Sequence, residues 1–234
     1  MPQPSHPGVA LFDLDGTLVD REPLAATALM EVCAEAGWHL SETSVGALVG
    51  RAWQDVHRDL EVLDRLGWDV STFTETVSLR CVELGRSRGV PALDGAVELL
   101  DELVSRGVRV GVVTGSTSKE AASVLGLLEL TDRIDHVVGA EHYLRGKPAP
   151  EPYLTALAHF DARADFCVAL EDSAVGIEAA RAAGLRVVGS EAASAMSSAY
   201  DPQELGRADL VVSTLADDRL VEWVLEIVTG SETE

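Results

Sequence analysis

The stretch Val9-Ala10-Leu11-Phe12-Asp13-Leu14-Asp15-Gly16-Thr17 governs how the rest of the chain is read: a short apolar run stops abruptly at a polar cluster. Consecutive apolar residues without alternation mark a strand buried on both faces of a parallel sheet, and the polar cluster then sits at its carboxyl end. The pattern recurs at Val108 to Val113 before Thr114-Gly115-Ser116, at Asp135 to Val138, at Phe166 to Leu170 before Glu171-Asp172-Ser173, at Leu185 to Val188 and at Leu210 to Val212. Between these runs lie helical patterns. Asp94 is placed to cap a helix with Val97, Leu100, Leu103 and Val104 on one face and Gly107 at its end, and Ser173 precedes Ile177, Ala180 and Ala183 before Gly184. Strand and helix in repetition predict βαβ units and a doubly wound, Rossmann-like α/β fold around a parallel sheet.

The segment from Val19 to Val90 breaks this alternation. Leu24, Ala25, Ala28, Leu29, Val32, Cys33 and Ala36 share one helical face between Pro23 and Gly37, and helix-like pieces follow around Trp53 to Leu66 and Phe73 to Leu84. The expected organisation is a core of residues 1–19 and 91–234 with a helical domain of residues 20–90 inserted after the first strand.

The 234 residues are 47% hydrophobic and 24% charged, which suits one folded α/β domain with an insert and excludes the disordered class. The formal charge of -21, from 39 Asp+Glu against 18 Lys+Arg, opposes nucleic acid and anionic membranes as partners. Cys33, Cys81 and Cys167 are too few and too far apart for a disulfide framework or a zinc cluster. No apolar run approaches a transmembrane span, and the start of the chain lacks a signal-peptide pattern. A cytoplasmic location is the corresponding expectation; the oligomeric state is left open, with a monomer favoured.

Open parallel sheets bind ligands at the carboxyl ends of their strands. Asp13 and Asp15 follow the first strand, Thr114 and Ser116 the second, Glu171 and Asp172 a later one, and Lys147 lies in a loop ahead of a helix. Four carboxylates in one crevice repel one another and stay ionised only with cations among them. All-oxygen ligation without clustered His or Cys points to magnesium. Each cluster also has a plainer reading: Asp13 and Asp15 as an Asx-rich turn, Thr114-Gly115-Ser116 as a strand-to-helix turn capped by Ser116, and Glu171 and Asp172 as acids at a helix dipole.

Asp-Leu-Asp-Gly-Thr at 13–17, Val-Thr-Gly-Ser at 113–116, Gly-Lys-Pro-Ala-Pro-Glu-Pro-Tyr at 146–153 and Leu-Glu-Asp-Ser-Ala-Val-Gly-Ile-Glu-Ala-Ala at 170–180 occur in this order. They resemble the four motifs of the haloacid-dehalogenase superfamily, in the branch with a helical cap between the first two motifs, which holds β-phosphoglucomutases, phosphoglycolate phosphatases and sugar-phosphate phosphatases. The resemblance implies Asp13 as nucleophile, Asp15 as general acid and base, and Thr114 with the Gly115 amide and Lys147 as phosphate binders. It also implies a Mg²⁺ site of Asp13, the Asp15 backbone carbonyl and Asp172, with Glu171 ligating directly or through water. The substrate is then a small phosphorylated metabolite, a sugar phosphate or a phosphoglycolate-like compound.

Departures from sister branches narrow the expectation. Dehalogenases of the family lack an acid where Asp15 stands, and phosphonate hydrolysis there uses a cap lysine, whereas the lysines here are Lys119 and Lys147. The mutase branch carries a cap histidine where Ala25 aligns and an arginine near Trp53. Hydrolysis is therefore favoured over a phosphosugar mutase, and over a catalytically silent phosphate-binding protein on the same fold. In the cap, Arg51 and His57 are expected to contact substrate, with Arg58 a further choice; a solvated helix face accounts for them equally well.

Overall fold

The computed structural model describes residues 8–46, 48, 53–193 and 202–230. In chain order it has β1 (Val9–Phe12), α1 (Glu22–Glu35), α2 (Glu42–Gly46), α3 (Trp53–Asp59), α4 (Val62–Leu66), α5 (Val70–Arg88), α6 (Ala96–Ser105), β2 (Arg109–Val113), α7 (Ser118–Leu127), β3 (His136–Val138), α8 (Glu151–Phe160), β4 (Cys167–Glu171), α9 (Ala174–Ala182), β5 (Arg186–Ser190), β6 (Leu210–Val212) and α10 (Asp218–Thr229). Two compact units result, one of Met1–Asp20 with Pro91–Glu234 and one of Arg21–Val90.

In the first unit the six strands pair in parallel in the order β3-β2-β1-β4-β5-β6. β1 is central because its four residues are apolar and fully buried, which suits only a strand covered on both faces. Val9 and Leu11 pack with Tyr153, Ala156 and Phe160 of α8 and with Ile177 and Ala180 of α9. α6 and α10 pack against each other, with α6 on β2 and α10 on β1 and β4. The chain runs from β1 to β2 and β3 on one side, then crosses back to β4, β5 and β6 on the other, so the strand order reverses at β1. Such a reversal opens a crevice at the carboxyl ends. Register fixes what meets there: Phe12 lies opposite both Val112 and Leu170, which puts Asp13 beside Val113 and Glu171.

The second unit is helical throughout its described residues. α1 and α5 lie along one another, and Arg80 of α5 spans them by ion pairs to Glu31 at 3.1 Å and Glu35 at 2.8 Å. The expected piece from Trp53 to Leu66 is two helices, since Glu61 adopts a left-handed backbone at φ 54° that interrupts the hydrogen-bond ladder between α3 and α4.

Two expected caps are corrected. α6 begins at Gly95, whose φ of 79° and near contact with the Ala216 backbone demand glycine, while the Asp94 carboxylate accepts a 2.6 Å hydrogen bond from the Thr214 hydroxyl. α7 is capped by Thr117 in a reciprocal box with Glu120, one residue later than Ser116. α10 has no counterpart among the expected elements. It buries Leu220, Val224 and Val228 at four-residue intervals and ends at Gly230. Cys33, Cys81 and Cys167 are free thiols. No helix among the described residues is long and apolar enough to cross a membrane.

Candidate active site

Asp13 extends β1 by one hydrogen bond, from its amide to the Leu170 carbonyl at 2.9 Å, and so enters the crevice with 8% exposure. The chain then turns through Gly16, at φ 84°, whose amide donates to the Val19 carbonyl at 2.8 Å. Glycine is required twice over, since a Cβ there would also strike the Asp172 carboxylate. Asp15 lies in this turn, half-buried, with a parallel bridge to Val19.

Thr114 follows β2 and is 1% exposed, its amide bonded to the Val138 carbonyl and its hydroxyl accepting from the Ser116 amide at 3.1 Å. The exposed Gly115 leads to the capped start of α7, where the amides of Thr117, Ser118 and Glu120 are taken by the Glu120 carboxylate, the Glu141 carboxylate and the Thr117 hydroxyl. The loop carrying Lys147 is tied down at both ends. The Tyr143 hydroxyl donates to the Thr114 carbonyl at 2.9 Å, and the Glu151 carboxylate accepts from the amides of Leu144 and Arg145 at 2.8 and 3.2 Å.

That loop delivers the Lys147 ammonium to Asp13, to the Val113 carbonyl at 3.0 Å and to Glu171 Oε1 at 2.5 Å. Glu171 is fully buried, and its Oε1 also accepts from the Tyr153 hydroxyl at 2.6 Å while Oε2 accepts from Ser173 at 3.2 Å. Asp172 stands beside it, and one carboxylate oxygen each from Asp13, Glu171 and Asp172 lie within 4.8 Å of one another.

Burial, with repulsion from Glu171 and Asp172, lifts the Asp13 carboxyl well above its usual range against the pull of Lys147. Burial and Glu171 push Asp172 up to about 7. Burial also opposes charge on Lys147, but Asp13 and Glu171 outweigh it and hold the ammonium well above its ordinary value. Three carboxylates against one ammonium leave an excess of two negative charges, and the donors are all oxygen. This set fits a hard divalent cation such as Mg²⁺.

The structure therefore brings together Asp13, Lys147, Glu171 and Asp172, with Asp15, Thr114 and Gly115 on the adjoining strand ends. The remaining expectations fall in the helical unit. Arg51 lies outside the described residues. His57 is buried within its own unit, its Nε2 at 2.8 Å from the Trp68 carbonyl and its ring edge-on to Phe73. Arg58 pairs with Asp55 and Asp59 on an exposed face, and Trp53 packs edge-on against Phe73. Tyr153 was not among the expected site residues. Its spacing with Ala156, Leu157 and Phe160 marks the buried face of α8, and a buried phenol needs a polar partner.

Residues 10–190 match the profile of the family described as haloacid dehalogenase-like hydrolase. The chain is 30% identical over 218 residues to validoxylamine A 7'-phosphate phosphatase of Streptomyces hygroscopicus subsp. limoneus, covering 90% of this chain and 95% of the relative. It is 31% identical over 180 residues to fructose-1-phosphate phosphatase YqaB of Escherichia coli K12, covering 76% and 93%. Among solved structures, CbbY from Rhodobacter sphaeroides in complex with phosphate superposes with a TM-score of 0.76 at 24% identity, covering 89% of this chain and 95% of that one, a likeness of fold.

Proposed function

The chain belongs to the haloacid dehalogenase-like hydrolases and is a phosphoric monoester hydrolase of that family, and from this premise we propose that it is a Mg²⁺-dependent phosphatase of small sugar phosphates working through an aspartyl-phosphate. The observation that carries the reading is the buried cluster in which one ammonium, Lys147, joins the three carboxylates Asp13, Glu171 and Asp172 at the carboxyl ends of β1 and β4. Sugar phosphates are favoured because the two relatives named above are, by their names, phosphatases of validoxylamine A 7'-phosphate and of fructose 1-phosphate. A phosphoglycolate-like ester is the remaining member of the same class.

In the proposed reaction an Asp13 carboxylate oxygen attacks phosphorus, and the bond from phosphorus to the ester oxygen breaks as Asp15 gives that oxygen its proton. Asp15 then takes a proton from water, whose oxygen displaces Asp13 and releases inorganic phosphate. Dividing one displacement into two is the gain of covalent catalysis, and the second acid spares the leaving alkoxide its charge. The Thr114 side chain and the Gly115 amide bind phosphoryl oxygens, and Lys147 offsets charge on Asp13 and on the transferring group. Asp13, Asp172 and the Asp15 backbone carbonyl would hold the Mg²⁺. When bound, that ion supplies positive charge to the phosphoryl oxygens and fixes their orientation.

The test is phosphate release from a panel of sugar phosphates, phosphoglycolate and nucleotides with Mg²⁺, run beside Asp13→Asn and with EDTA. The proposal expects release from at least one ester, abolished by either change. Activity surviving Asp13→Asn or EDTA overturns the mechanism, and a folded wild type inert on the whole panel overturns the substrate class.

A further inference from the structure

We propose that Tyr153 is a positioning residue of this site: its hydroxyl holds Glu171 to the lysine side of the cluster, so that Glu171 anchors the Lys147 ammonium instead of ligating the metal. The proposal rests on the phosphatase reading for its kinetic consequences and on geometry alone for its structural ones.

The Lys147 ammonium has three protons and meets three acceptors: Asp13, the Val113 carbonyl and Glu171 Oε1. Every donor is engaged, and the direction of the head group is set by the three acceptors together. The Val113 carbonyl is fixed by β2, and the Asp13 carboxylate hangs from the end of β1 on a side chain one methylene shorter than that of Glu171. Glu171 has a flexible side chain, and it holds its place only through what binds it.

Tyr153 provides that hold. Its ring is fully buried on α8, its hydroxyl reaches Glu171 Oε1 at 2.6 Å, and the ammonium sits 5.4 Å from its ring centroid, within cation–π range. Ser173 engages Oε2, and Gly176 leaves the space the carboxylate fills. Both oxygens of Glu171 are thus engaged by side chains, Oε1 by a tyrosine and a lysine and Oε2 by a serine, and in the proposal Asp13 and Asp172 are the side-chain carboxylates that serve a cation. The Glu171–Lys147 pair is neutral in sum, and the two remaining carboxylates match one divalent ion.

A phenol shared with Glu171 also tempers its pull on Lys147. With the hydroxyl removed, Oε1 faces the ammonium alone and draws it from Asp13, whose nucleophilic oxygen and incoming phosphoryl group it must serve. Charge compensation of this kind matters most in the transition state, so its loss lowers kcat with little change in KM.

The test exploits the composition, since Lys119 and Lys147 are the chain's two lysines and Lys119 is exposed. Protein carrying ¹⁵Nζ-lysine should give one ammonium resonance protected from solvent exchange, from Lys147, without any substrate. Tyr153→Phe should shift or broaden that resonance and lower kcat about 10-fold with KM within about 2-fold. Glu171→Gln should do the same even if Tyr153→Phe fails to fold, and the double variant should fall little below the worse single one. By calorimetry with Mg²⁺ alone, Glu171→Gln should bind the ion nearly as well as wild type, whereas Asp172→Asn should not. An unchanged Lys147 resonance in both single variants overturns the proposal, as does a loss of Mg²⁺ affinity in Glu171→Gln equal to that in Asp172→Asn. A wild type that shows the protected resonance but releases no phosphate refutes the phosphatase reading and leaves the anchoring role intact.

Discussion

Gly176→Ala sets helix propensity against the packing of Glu171, and the two give opposite signs. Gly176 is the third residue of α9, and replacing glycine by alanine inside a helix ordinarily stabilises it by about 1 kcal/mol. Here the added Cβ falls on Cδ and both oxygens of Glu171, a carboxylate with no exposure and three hydrogen-bonding neighbours. Overfilling a packed interior costs roughly 1–3 kcal/mol. The net is a destabilisation of about 1 kcal/mol, which for a chain of this size lowers the melting temperature by about 2–4 °C. Relief requires Glu171 to turn, releasing Tyr153 and Lys147, so kcat/KM on the best ester should fall about 10-fold or more, or about 1.4 kcal/mol of transition-state stabilisation. Gly126→Ala is the control, because Gly126 sits exposed near the end of α7 with only the Thr131 hydroxyl at 3.9 Å from the new Cβ. It should raise the melting temperature and leave the kinetics alone. Scanning calorimetry and steady-state kinetics on both variants decide the matter: a Gly176→Ala protein that is stabilised and fully active, like the control, refutes the placement of Glu171.

Without a cation, the raised carboxyls of Asp13 and Asp172 bind more protons folded than unfolded, so stability is fully present below about pH 4 and drains away as pH rises toward about 7. Melts in EDTA should show that decline, and both Mg²⁺ and Asp172→Asn should flatten it; a decline indifferent to both would mean that other groups cause it. The formal charge of -21 repels an anionic ester, so kcat/KM at saturating Mg²⁺ should rise modestly as salt screens the field, and a steady fall with salt would contradict this. Thr117→Ala removes the hydroxyl that caps α7 and accepts from the Glu120 amide, and should cost about 1 kcal/mol in a urea melt. His136 stacks on His159 at 3.4 Å between centroids, and burial with that neighbour depresses its pKa. Its contribution is present above about pH 6.5 and lost as pH falls, so His159→Gln should lessen the acid sensitivity of the fold.

The valine-rich runs were legible as strands because a parallel strand covered on both faces has no reason to alternate, and the clusters that ended them marked where β1, β2 and β4 open into the crevice. Boundaries shifted by a residue or two where pairing, which no single run contains, sets the end of a strand. The caps at Gly95 and Thr117 escaped for a related reason. Asp94 has the better capping side chain, but Thr214, 120 residues away, claims it. Glu61 has no intrinsic preference for the left-handed backbone that divides α3 from α4, so nothing local foretold that break. Tyr153 was within reach: the period of α8 buries it, and asking what its hydroxyl meets leads to Glu171.

Only two of the 18 Lys and Arg residues are lysines, and the position of one of them shows why the chain keeps it. Elsewhere arginine does the pairing on surfaces, as at Arg80 and Arg219, where a planar fork reaches two carboxylates or both oxygens of one. At Lys147 the acceptors surround a single point: one carboxylate from β1, one carbonyl from β2 and one carboxylate from β4. A compact ammonium with three diverging protons meets all three, whereas a guanidinium spreads its donors in a plane and needs more room than a side chain only 12% exposed has. The same geometry offsets the chain's negative field. An ester repelled at long range by the net charge meets, at the strand ends, a buried cation held in place by the acids that make the approach unfavourable, so the density of acid that hinders arrival also keeps Lys147 charged at the point of reaction.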